Sequence, residues 1–130
     1  MALCLPARVE QVGVAREFVV TTLGAGHPCA GMVQLIVSEL VTNSIVHSRS
    51  GARSDGTVTV RLAGDSHRVR VEVTDLGGTS LPRLREFDFC SESGRGLFMV
   101  RALATEWSCG RDPSGTTTTW AEVQADRQND

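Results

Sequence analysis

Apolar residues recur at helical intervals near the start of the chain. Val9, Val12, Ala15, Val19 and Leu23 fall near one stripe of residues 8–24, the spacing of an amphipathic helix. Gly24-Ala25-Gly26-His27-Pro28 interrupts it, as glycine and proline clusters do. A second helix is predicted over 29–48, with Val33, Ile36, Val37, Leu40 and Val41 on its apolar face. The period then changes from helix to strand. Val58, Val60 and Leu62 alternate with Thr57, Thr59 and Arg61, and Val69, Val71 and Val73 alternate with Arg68, Arg70, Glu72 and Thr74. Both segments read as half-buried strands, joined by a turn at Gly64-Asp65-Ser66-His67. Residues 76–93 hold no sustained period. A third helix opens at Gly94-Arg95-Gly96 and runs through Leu97, Val100, Leu103 and Ala104. Two further strands are expected near 106–111 and 116–124, with a turn at Asp112-Pro113-Ser114-Gly115. This order predicts an α/β (α+β) two-layer sandwich, one sheet with helices on one face. Residues 1–130 form one domain with its core at about 8–124.

Three polar residues of the second helix change the picture from fold to chemistry. Glu39, Asn43 and His47 are four apart, so they share one face, each a turn above the last. Asn43 and His47 fall at the edge of the apolar stripe and Glu39 just outside it. Burying such groups without partners costs several kcal/mol each, and a bound ligand is one way to satisfy them. Asp75 points to the same side from a different element. It shares a strand face with Val69, Val71 and Val73, where the strand enters Gly77-Gly78. It either caps a local turn or accepts from a ligand N–H such as an exocyclic amine. The double glycine fits an ordinary turn or the close approach of a planar ligand. Gly94-Arg95-Gly96 precedes a helix, whose free N–H groups favour phosphate, although many helices begin after glycine. On the last strand, Thr117 and Thr119 face the core if Ala121 and Val123 do. Their hydroxyls bond a ligand, a buried water or one another.

Composition removes alternatives. Hydrophobic residues make up 41% and the net charge is −2, which suits a globular domain and gives no basic footprint for nucleic acid. All 13 basic residues are Arg. A P-loop, a eukaryotic-type protein kinase and a Schiff-base enzyme each need a lysine, so none can be built here. The same bias also follows from a GC-rich genome. Cys4, Cys29, Cys90 and Cys109 lack the close spacing of a zinc site. No signal peptide or membrane span is visible, so a reduced, cytoplasmic protein is expected.

Taken together, Glu39-x-x-x-Asn43, Asp75-x-Gly77-Gly78, Gly94-Arg95-Gly96-Leu97 and Gly115-Thr116-Thr117 resemble, in order, the N, G1, G2 and final-strand motifs of the GHKL (Bergerat-fold) ATP-binding superfamily. The similarity spans roughly residues 8–124. The wording Glu-Leu-Val-Thr-Asn-Ser-Ile-Val-His is especially similar to the stand-alone anti-sigma-factor serine/threonine kinases. The resemblance implies a Bergerat fold with a mixed, mostly antiparallel sheet. It makes Glu39 the general base and Asn43 the Mg2+ ligand. It gives Asp75 the adenine amine and Gly77 and Gly78 the room for the ring. Gly94, Arg95, Gly96 and Leu97 would meet the phosphates, Thr117 would stand near adenine, and His47 would line the pocket. Residues 76–93 would be the ATP lid. The G1 motif departs from the usual Asp-x-Gly-x-Gly, because Thr79 occupies the second glycine's place.

The implied cofactors are ATP and Mg2+. The implied partners are a sigma factor and an anti-anti-sigma (STAS-type) protein, with a homodimer through the sheet surface and neither nucleic acid nor membrane. A non-catalytic ATP-sensing partner switch and a detached histidine-kinase catalytic domain are the alternative readings.

Overall fold

A computed structural model of the chain describes residues 1–47, 55–76 and 97–125. Its centre is strand β3 (Arg68–Asp75), whose alternate residues Val69, Val71, Val73 and Asp75 are buried. On one side β3 pairs with β2 (Thr57–Gly64), and on the other with β5 (Thr117–Gln124). The outer strands are β1 (Ala2–Pro6), beside β2, and β4 (Glu106–Arg111), beside β5. The order is β1-β2-β3-β5-β4 and every pairing is antiparallel. Cross-strand neighbours share a face, so Val60–Val73, Leu62–Val71, Val71–Ala121 and Val69–Val123 build one apolar surface. Each fully buried Val contributes about 1.5–3 kcal/mol relative to exposure.

Helices α1 (Val12–Leu23), α2 (Ala30–His47) and α3 (Phe98–Leu103) cover that surface. Val33, Ile36, Val37, Leu40 and Val41 of α2 are at most 1% exposed, so the face predicted from periodicity is the face that packs. On α1 only Ala15 and Val19 are fully buried. Val9 is 67% exposed and belongs to a short 3-10 turn, Val9–Gln11, ahead of the helix. The third helix begins at Phe98 among the described residues, and its predicted opening at 94–96 lies outside them.

Strand β1 was not among the predicted elements. Leu3 and Leu5 do alternate with Cys4 and Pro6, but the segment is five residues long and ends in proline. Pairing with Thr57–Arg61 supplies the stability that local pattern lacks.

The β2–β3 hairpin is fixed by its turn chemistry. Gly64 has φ +153°, and a Cβ there would run into the Arg68 carbonyl, so only glycine fits without movement. The Asp65 carboxylate accepts from the His67 N–H at 2.9 Å and the Arg68 N–H at 3.0 Å. Those N–H donors, His67 first, hold Asp65 below its ordinary value of 3.8. A carboxyl whose folded value is depressed stabilises fully above its unfolded value and progressively less as pH falls below it. Urea titrations at pH 6 and pH 3 should therefore show wild type losing more stability on acidification than Asp65→Asn. Equal losses would remove Asp65 as the hairpin's acid-sensitive anchor.

The loop between α1 and α2 is tied to the same hairpin. The His27 ring accepts from the Cys29 N–H through Nδ1 at 3.0 Å and meets the Asp65 carbonyl through Nε2 at 2.8 Å. A carbonyl only accepts, so the Nε2–H tautomer satisfies both contacts. The Cys29 thiol lies below, 3.6 Å from the His67 carbonyl. Burial pushes this thiol up, and the negative Asp65 adds to the effect.

Cys4 and Cys29 are free, whereas Cys109 is disulfide-bonded. This corrects the expectation of a wholly reduced chain. A disulfide needs two cysteines close in space, and sequence spacing does not report that. No helix among the described residues is long and apolar enough to cross a membrane.

Candidate functional site

The polar residues of interest collect at one end of the sandwich. Strand β3 ends there at Asp75, β5 begins there at Thr117, and β4 ends there at Arg111. Asp75 pairs with Thr117, and Thr117 with Arg111, so the three form one rung across the sheet. Asp75 and Thr117 are both 4% exposed. They occupy the helix-covered face because each continues the in–out alternation of its strand, in phase with Val69, Val71 and Val73 on β3 and with Thr119, Ala121 and Val123 on β5.

Helix α2 packs over β3 and against α3. Asn43 is 9% exposed and its neighbour Ser44 only 2%. Ser44 has a partner in the structure. Asn43, Ser44, Asp75 and Thr117 are thus four polar residues buried toward one end of an otherwise apolar interior. Burying a polar group costs free energy unless it is hydrogen-bonded, so such a concentration marks a place suited to a polar ligand. Asp75 does have a partner, and its carboxylate keeps acceptor capacity beyond one bond.

Glu39 is half-buried, one turn before Asn43. Its Oε2 accepts from the Met99 N–H at 3.3 Å. This bond ties α2 to the first turn of α3, where backbone N–H groups lack intrahelical partners. The other carboxylate oxygen makes no hydrogen bond among the described residues. Glu39 sits just off the apolar stripe in sequence, and it is shielded because α3 packs beside it. Leu97, expected near the phosphates, is 1% exposed and its side chain belongs to the hydrophobic core. Only its backbone is left for a ligand.

The structure thus unites Glu39 with the start of α3, and Asp75 with Thr117, at the end toward which Asn43 lies. Gly77, Gly78, Gly94, Arg95 and Gly96 lie outside the described residues, as does the His47 side chain and all of the expected lid after Leu76. Ser44 and Arg111 were absent from the sequence-derived set. Ser44 carries a signal, standing beside Asn43 on a helix otherwise apolar on that side. Arg111 carries none until the strand register is known.

The donor set fits a magnesium nucleotide. No group of three or more His, Cys, Asp or Glu able to hold a metal exists among the described residues. Mg2+ keeps several waters and binds through few protein oxygens plus substrate phosphates. The amide oxygen of the buried Asn43 suits that requirement. Asp75 can accept from an amine, and Thr117 can donate or accept beside it.

Comparison with known proteins identifies the family. The family profile described as "Histidine kinase-like ATPase domain" matches residues 5–121. The chain is 24% identical over 126 residues to a protein of Staphylococcus aureus named "Serine-protein kinase RsbW", covering 86% of this chain and 79% of that one. Among solved structures, the RsbU and RsbW domains of Rv1364c from Mycobacterium tuberculosis superpose with a TM-score of 0.61 at 25% identity. That alignment covers 95% of this chain and 32% of the other, so the chain spans about a third of that solved protein's length.

Proposed function

Because the chain belongs to the histidine kinase-like ATPase domain family, we propose that it is an ATP- and Mg2+-binding anti-sigma regulator that sequesters a sigma factor and phosphorylates a Ser or Thr of an anti-anti-sigma (STAS-type) partner. The observation that carries this reading is the buried Asp75, paired in register with the buried Thr117 at the end of the sheet toward which the buried Asn43 lies. The similarity to a serine-protein kinase supports phosphoryl transfer rather than nucleotide sensing alone.

In this reading Asp75 accepts from the adenine amine, and Thr117 holds the same edge of the ring. Asn43 turns its amide oxygen toward the metal. Bound Mg2+ would neutralise phosphate charge, which is the main need of phosphoryl transfer. Glu39 receives the proton of the attacking hydroxyl on the oxygen not engaged by Met99. The bond from Met99 fixes the carboxylate's orientation, a prerequisite for a general base. Pairing of two chains through the open sheet face belongs to the same proposal. That face carries Arg70 stacked 4.0 Å over the Trp120 ring and paired with Glu72 at 3.2 Å.

Calorimetric titration with ATP and ADP in the presence of Mg2+ tests the reading. Wild type should bind both. Asp75→Asn, which removes a charged acceptor, should bind on the order of tenfold to a hundredfold more weakly. Equal affinity in the variant would remove Asp75 from adenine recognition, and a wild type that binds neither nucleotide would end the proposal.

A further inference from the structure

We propose that Arg111 is a phosphate-binding residue of this nucleotide site, an assignment that rests on the ATP reading above. Arg111 is the last residue of β4 and pairs with Thr117, which in turn pairs with Asp75. Paired residues point to the same side, so Arg111 stands on the helix-covered face, two strands from Asp75. Neighbouring strands lie about 4.8 Å apart, which puts the two Cα atoms on the order of 10 Å apart. That separation is comparable with the span of a nucleoside from its base to its phosphates, so a flexible arginine stem starting beside Thr117 can reach a phosphate.

The path of the chain explains how Arg111 reaches this end. Helix α3 starts beside Glu39 and leads through Ala104 and Thr105 into β4. β4 then runs back to the end where Asp75 lies, so Arg111 finishes on the rung of Asp75 and Thr117.

The side chain has an unused donor among the described residues. Arg111 is half-buried, and its Nε is buried with no hydrogen-bond partner. It enters no ion pair among the described residues. The other described arginines are elsewhere. Arg61, Arg68 and Arg70 lie on the open sheet face, and Arg8, Arg16 and Arg101 are exposed. With no lysine in the chain, cationic contacts to ATP must come from arginine. Arg111 is the described arginine that faces the right side of the sheet with its donors unspent. A guanidinium forms paired, charge-assisted hydrogen bonds to phosphate oxygens.

The test is Arg111→Met, which keeps an unbranched apolar stem and removes the charge, with Arg111→Lys beside it. Affinities for ATP, ADP and adenosine are measured by calorimetry and ligand-observed NMR, and melting temperatures without ligand by circular dichroism. For Arg111→Met we expect ATP and ADP to weaken on the order of tenfold to a hundredfold with adenosine unchanged. The ligand-free melting temperature should be no lower than that of wild type, because an orphaned buried donor has been removed. Arg111→Lys should fall between. Parallel weakening of all three ligands with a lower melting temperature would mean that the arginine stem only packs, and overturns the assignment. So would unchanged ATP affinity in a folded Arg111→Met. If wild type binds adenosine and ATP equally well, the phosphate assignment fails while the adenine site stands. If it binds no nucleotide, both fail.

Discussion

Replacing Glu39 by Gln is expected to lower phosphoryl transfer to the anti-anti-sigma partner by about 10²–10⁴-fold while leaving ATP affinity nearly unchanged. The side-chain oxygen of Gln can still accept from the Met99 N–H, so the contact between α2 and α3 survives. What is lost is basicity. Glu39→Ala should behave differently, because it removes the acceptor as well. The first turn of α3 then loses its anchor on α2, and ATP affinity should drop along with transfer. Single-turnover transfer of labelled γ-phosphate, read beside calorimetry on both variants, separates the two effects. If Glu39→Gln transfers phosphate at the wild-type rate, Glu39 is a structural tie between helices and not the base.

The largest effect on stability is expected from Leu40→Ala. Leu40 is 1% exposed on α2, within the cluster that joins this helix to β2, β3 and β5. Truncating a buried leucine costs about 2–5 kcal/mol, depending on how far the cavity collapses. For a chain of this length that corresponds to a fall in melting temperature on the order of 10 °C. Leu40 sits between Glu39 and Asn43, so the cavity would open directly beneath the site. Saturating ATP should recover part of the loss, since a ligand that binds only the native state stabilises it. A variant that melts within about 2 °C of wild type would contradict the view that α2 is held by this cluster.

How much of this was legible in the sequence depends on the kind of interaction that decides each element. The apolar face of α2 and the alternation of β2, β3 and β5 are set by burial against one common core, and a period in the sequence reports that directly. Asp75 and Thr117 were legible for the same reason, because each sits in phase with buried neighbours. Strand β1 was not, since its pairing with β2 is decided by a segment more than fifty residues away. Val9 joined the predicted stripe but turned outward, because a single 3-10 turn does not continue the phase of the following helix. The disulfide at Cys109 and the orientation of Arg111 follow from strand register and chain path, which no local pattern encodes. The Glu39–Met99 bond links residues sixty apart, so the sequence could name the carboxylate but not what would hold it.

The neighbour relation of β3 and β5 has a consequence for how this molecule can change. These two central strands must find each other across everything from Leu76 to Thr116. Closing so wide a span makes assembly slow, because distant pairings must form before they are rewarded. Once closed, however, the span is insensitive to its own length, since doubling a loop adds only about 0.6 kcal/mol. Because α3 and β4 lie within this span, with Leu97 and Val100 in the core, that tolerance belongs to the connections between packed elements and not to the elements themselves. Selection can lengthen or shorten those connections without disturbing the order of the strands.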